Sequence, residues 1–190
     1  PFVKILATLS LMPGVDEQLA PRVLELTKPG NEATTRACAT QLLTYAKAPS
    51  VDSRLRELAA DPERRVSFHA KCAFAQRHPE GRAALREVWK DPATNPAERS
   101  AIVQVLTASG TPADSLDLFE EAAQNGALDE NARLAAVTAL GSAGTASNIP
   151  ALQKVAGQDA STTVRSAASN AISAINGRAA GEGGLMLPMS

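Results

Sequence analysis

Aromatic residues make up only 3% of the 190 residues: four Phe, one Tyr and one Trp. That excludes a core built on ring bulk. Because hydrophobic residues still reach 44%, the interior has to come from Leu, Val, Ile and Ala. Cysteine is almost as scarce. Cys38 and Cys72 are too few for a disulfide framework and do not indicate a compartment. There is no large excess of either charge: the formal net charge is −1, without the electrostatic footprint of a nucleic-acid or anionic-membrane binder. No stretch approaches the length of apolar sequence needed to span a membrane. Runs of β-branched residues are scarce and alanine is abundant, which favours an all-α chain. The first residue is Pro1 rather than Met, so the natural N-terminus and any signal peptide are expected to precede it. The compartment is left open, with cytoplasm preferred to periplasm.

What the chain has instead is a period. Arginines open a series of similar segments: Arg36 in "TTRACATQLLTYA", Arg64 or Arg65 in "ERRVSFHAKCAFA", Arg99 in "AERSAIVQVLTASG", Arg133 in "NARLAAVTALGSAG" and Arg165 in "TVRSAASNAISAI". Counted from each arginine, positions +2, +3, +6, +7 and +10 tend to be apolar or small, which is one face of an α-helix. Asn31, Asp61, Asn95, Asp129 and Asp159 precede these helices as start signals. Pro62 and Pro96 follow two of them, and "NPAE" has the capping-box spacing. A second set of helices lies between: "EQLAPRVLELT", "VDSRLRELAA", "GRAALREVWK", "ADSLDLFEEAA" and "IPALQKVAG". These carry larger residues, such as Leu55, Leu58, Leu85, Val88, Leu116, Phe119, Leu152 and Val155, and Pro112 and Pro150 mark two of their starts.

The unit is therefore a helical hairpin of about 32 residues, five times over, after "FVKILATLSL" as the second helix of a half-repeat. Alanines such as Ala136 and Ala168 let helices of neighbouring hairpins approach closely, while the other helix supplies bulk. Stacking is needed because one hairpin cannot bury its apolar face alone. At residues 50–90 two registers stay open. Arg64 would bury Val66, Ala70 and Phe74 and turn Lys71 inward; Arg65 would bury Phe68, Cys72 and Ala75.

The segments "DENARLAAVTALGSAG" and "DASTTVRSAASNAISAI" resemble HEAT repeats of the short bacterial type named after phycobilisome lyases, and the resemblance covers most of residues 16 to 176. It implies a right-handed α-α superhelix, a HEAT-like solenoid of about five hairpins plus a half-repeat. Residues 1–176 would form the repeat domain and residues 177–190 a Gly-rich tail with an apolar end. It also implies that Arg36, Arg99, Arg133 and Arg165, with Asp129 and Asp159, form a structural ladder between repeats. The function implied is a non-catalytic scaffold for another protein or peptide. A bilin-lyase-like or other HEAT-type enzyme and a spacer domain of a longer protein are the alternatives.

No catalytic, cofactor or metal residue is singled out. "HAKC" sets His69 and Cys72 at i, i+3, but only His78 and Cys38 could join them, short of a zinc ligand set. The His-Glu dipeptides of the di-iron HEAT-like hydroxylases are lacking, as are a P-loop, a G-x-G-x-x-G and a Ser/His/Asp set. In the second helices, positions +1, +5 and +8 should face outward. They read Gln41 and Thr44; Ser100, Gln104 and Thr107; Thr138; Ser166, Asn170 and Ser173. Lacking Lys and Arg, this row does not suit phosphate. It suits a protein or peptide, or plain solvent.

Charge is uneven along the chain. Residues 51–100 hold ten basic and eight acidic residues, and residues 101–150 hold one and six. The acidic block, Asp114, Asp117, Glu120, Glu121, Asp129 and Glu130, is expected to be a solvated face, or otherwise a site for a basic partner. In the tail, the glycines at 177, 181, 183 and 184 should end the last helix. Leu185, Met186, Leu187 and Met189 are its adhesive part and would allow self-association or docking in an apolar groove.

Overall fold

A computed structural model describes residues 15–46, 48–110 and 113–183. The half-repeat helix at 2–11, Pro112 and the apolar end of the tail, Leu185 to Met189, lie outside the described residues. Ten α-helices and no strand occur among the described residues. They are α1 (Val15–Leu26), α2 (Ala33–Leu42), α3 (Ser50–Leu58), α4 (Arg64–Arg77), α5 (Gly81–Lys90), α6 (Pro96–Ala108), α7 (Leu116–Gln124), α8 (Glu130–Ala143), α9 (Ile149–Gln158) and α10 (Thr162–Gly183). None is long and apolar enough to cross a membrane.

The chain divides into two compact units, Pro1–Leu85 and Arg86–Ser190. In the first, α1 packs on α2 and α3, and α2 and α3 pack on α4. Leu43, Val51, Leu55, Leu58 and Val66 form its core. In the second, α6 packs on α8 and α8 on α10, while α7 packs on α9. Within the first unit α1 thus meets α3 and α2 meets α4, and within the second α6 meets α8, α8 meets α10 and α7 meets α9, a repeat-like arrangement. The odd helices supply bulk, with Phe119 and Leu152 fully buried, and the even ones supply Ala136 and Ala168 at 0% exposure.

Burial refines the expected face. Position +3 is buried in every even helix, as Ala39, Phe68, Ile102, Ala136 and Ala168. The Arg65 register fits α4 at positions +3, +7 and +10, where Phe68, Cys72 and Ala75 are buried; of the Arg64 register, Val66 and Ala70 are buried too, but Phe74 and Lys71 are only half-buried. Position +2 is not part of the core. Cys38 is exposed and Ala101, Ala135 and Ala167 are half-buried, because the neighbouring even helix covers +3 and leaves the adjacent edge open.

The last helix also departs from expectation. It runs on to Gly183 rather than stopping before Gly177. Each interior glycine costs about 1 kcal/mol relative to alanine, but Arg178 offsets this by donating to the Gly141 and Gly144 carbonyls at 2.6 and 2.8 Å. Those carbonyls belong to the end of α8, so the extra turns are tied to the preceding even helix.

Candidate functional site

The start signals turn out to be of two kinds, and the difference decides where the arginines go. Asn95 and Asp129 are true N-caps. Asn95 accepts from Glu98 N at 2.9 Å within a complete capping box, and Asp129 accepts from Ala132 N at 2.9 Å. Asp61 and Asp159 stand further ahead of their helices. Each accepts an amide two residues on, from Glu63 at 2.9 Å and Ser161 at 2.8 Å, and keeps carboxylate oxygen free for a neighbour. Arg36 reaches Asp61 through both terminal nitrogens. Arg133 reaches Asp159 at 2.8 and 3.0 Å. Asn31 is not a cap; its amide donates to the Glu25 carbonyl at 3.0 Å.

The expected ladder is therefore present at Arg133–Asp159, Arg36 forms a second rung with Asp61, which was expected only as a start signal, and two members differ. Arg165 donates to the Asp159 backbone carbonyl at 2.7 Å rather than to a carboxylate. Arg99 does not meet Asp129. It stacks 5.0 Å over the Trp89 ring and lies 3.6 Å from Glu121. The physical reason is that the Asp129 carboxylate serves its own helix. The hydroxyl of Ser100, then the amides of Ala132 and Asn131, hold Asp129 below the usual carboxylate range against the opposing effect of desolvation.

The acidic block is solvated as expected, with Asp114, Asp117, Glu121, Asp129 and Glu130 exposed and Glu120 half-buried, yet four of its members also tie one hairpin to another. Asp117 takes Arg86 at 2.8 and 2.9 Å. Glu121 accepts from the Trp89 indole at 2.8 Å, Glu120 from Asn148 at 2.9 Å and Glu130 from Ser161 at 2.9 Å. Sequence reasoning missed these pairs. Their partners lie 28 to 32 residues away, which is one repeat period.

Between α6 and α8 lies an open groove of about 940 Å³. Its floor is small and apolar, formed by Ala101 and Ala135 with Leu134 and Ala139. Its walls carry Gln104, Thr107, Thr138 and Ser142, and Asp129 and Asn131 close one end. Four of the residues expected to face outward thus line it: Ser100, Gln104, Thr107 and Thr138. Ser100 does so while 6% exposed, drawn inward by its hydrogen bond to Asp129. The alanines at +2 that stay out of the core form part of this floor. Gln41, Ser166, Asn170 and Ser173 are exposed elsewhere, and Thr44 is half-buried.

The residues considered for metal binding fall on the first unit. His69 stands edge-on to Phe68 at 5.8 Å, Cys72 is buried and Cys38 exposed. His78 Nε2 lies 3.0 Å from Asp52. Burial alone would raise the Asp52 pKa, but hydrogen bonds from Arg77 and His78 outweigh it and lower it. Among the described residues no three or more His, Cys, Asp or Glu are grouped as metal ligands. No protein-family model matches the chain, and no curated protein or solved structure is significantly similar to it.

Proposed function

We propose that the chain is a HEAT-type α-α superhelix that binds another protein and carries no chemistry of its own, with the α6/α8 groove as its binding surface. The observation that supports this reading is the lining of that groove. Small apolar side chains give a peptide close access to the floor. Short uncharged polar side chains give it hydrogen-bond partners without the desolvation cost of buried ions. The two arginine–aspartate rungs, Arg36–Asp61 between α2 and α4 and Arg133–Asp159 between α8 and α10, support the repeat reading.

A photoreactive amino acid at Gln104 or Thr138 tests it, with Gln153 on α9 as the control; all three are exposed. In lysate of the source organism, Gln104 and Thr138 should give discrete adducts competed by unlabelled protein, and Gln153 should not. Equal or absent adducts at all three positions would reject the groove as the binding surface.

A further inference from the structure

We propose that the α6/α8 groove is built for an extended segment of a partner protein that carries a lysine or arginine seated beside Asp129. This rests on the protein-binding reading above and adds the chemistry of the ligand.

Three hydroxyls on the walls of the groove have spent their donors. Thr107 donates to the Val103 carbonyl at 2.9 Å, Thr138 to Leu134 at 2.8 Å and Ser142 to Thr138 at 3.0 Å. A hydroxyl has one proton and two lone pairs, so each side chain offers the groove acceptors. These three hydroxyls therefore favour N–H donors in a ligand of the groove, while the carboxamides of Gln104 and Asn131 can meet donor or acceptor.

Its charge points the same way. Asp129 is the only ionisable residue of the lining, and it is exposed. The arginines that could have neutralised it are committed elsewhere, Arg99 to Trp89 and Glu121 and Arg133 to Asp159. Neighbouring Glu130 is also exposed, so the end of the groove is acidic. A lysine ammonium brings three donors and no acceptor. A carboxylate placed there would meet like charge and lone pairs.

The dimensions suit an extended segment. From Asn131 to Ser142 the α8 face runs roughly 16 Å at the helical rise, the length of about five residues of extended chain. The chain's own apolar end at 185–190 has no basic residue, so it is a competing occupant that the test separates.

The experiment uses the full chain, labelled with ¹⁵N, and nine-residue proline-containing peptides identical except for a central lysine, glutamine or glutamate. A fourth peptide copies residues 185–190. The lysine peptide should shift the Gln104, Asn131 and Thr138 signals and bind roughly five- to tenfold more tightly than the glutamine peptide at low salt. The glutamate peptide should be weaker still, and the lysine advantage should shrink as salt shortens the screening length. Asp129→Asn should erase the advantage while leaving the fold intact, because asparagine is an equally good N-cap. Equal affinities for the three peptides at the groove would overturn the charge assignment and leave the protein-binding reading standing. No groove shifts with any peptide would overturn the inference, and the Gln104 adducts then decide separately whether the reading survives. Tightest binding by the 185–190 copy would replace the partner segment with a second copy of this chain.

Discussion

Replacing Asp159 by asparagine removes one negative charge and turns the oxygen that accepts from Arg133 Nε into an NH2 donor. The amide oxygen can still accept from the Ser161 N–H, now at 2.8 Å, so the turn ahead of α10 is kept. What disappears is the charge opposite Arg133, which donates to Asp159 through Nε and Nη2, and with it the acceptor for Nε. The two side chains are 9% and 7% exposed, so water can do little to replace it. Exposed ion pairs contribute about 0–1 kcal/mol, whereas breaking a buried pair from one side costs about 3–5 kcal/mol. Arg133 retains the Leu128 carbonyl at 2.6 Å and is drawn by the nearby charges of Glu130 and Asp129. That places Asp159→Asn between the two cases, at about 2 kcal/mol, on the scale given by those bounds.

The readout is urea unfolding followed by Trp89 fluorescence. Trp89 belongs to the same unit, is buried, and bonds Glu121. Asp129→Asn is the control and should change stability by less than about 0.5 kcal/mol, since the cap survives. The pH dependence gives a second check. Arg133 holds Asp159 below its ordinary pKa, so the stabilisation is fully present above the unfolded value of about 3.9 and is lost as pH falls through the folded one. The gap between wild type and variant should be constant from about pH 5 to 8 and close below about pH 4. Equal stabilities at neutral pH, or a gap that persists in acid, would refute the rung as a stabilising contact.

Ala168→Leu inserts bulk where α10 meets α8 at 0% exposure and should cost about 1–3 kcal/mol; an unchanged melting temperature would refute close packing there. Gly81→Ala would place a Cβ 2.7 Å from the Ala75 backbone, so the first unit should melt earlier by circular dichroism. In contrast, Gly177→Ala meets nothing within 4 Å and should stabilise α10 by about 0.5–1 kcal/mol; a loss of helicity would contradict the extended helix.

The helices and their period were legible because both depend on short spacings. An apolar stripe at +3 and +7 and an arginine ahead of it can be read within a dozen residues. The groove was half legible: Gln104, Thr107 and Thr138 were on the outward list, but Ala101 and Ala135 were assigned to the core. Periodicity marks small residues as compatible with burial, and it cannot say whether a neighbouring helix covers +2 or stops at +3. The tail helix was hidden for a related reason. Its glycines argue locally for an end, and the tie that opposes them, Arg178 to Gly141 and Gly144, spans more than thirty residues.

The aspartates show how little separates one role from the other. In "DPER" and "DAST" a residue able to start the helix, Glu63 or Ser161, stands two places after the aspartate. In "DENA" the aspartate directly precedes Glu130 and α8. The first spacing frees a carboxylate for the arginine of the preceding repeat; the second spends it on the helix and turns that arginine elsewhere. The same reasoning explains the uneven charge. Arg86 and Arg99 from the basic stretch meet Asp117 and Glu121 from the acidic one, so much of the imbalance is one repeat answering the next. Asp129 makes no ion pair of that kind; Arg133 is near enough to feel its charge but gives its hydrogen bonds to Asp159 and Leu128. The position where the ladder fails is thus the position where the groove acquires its only charge.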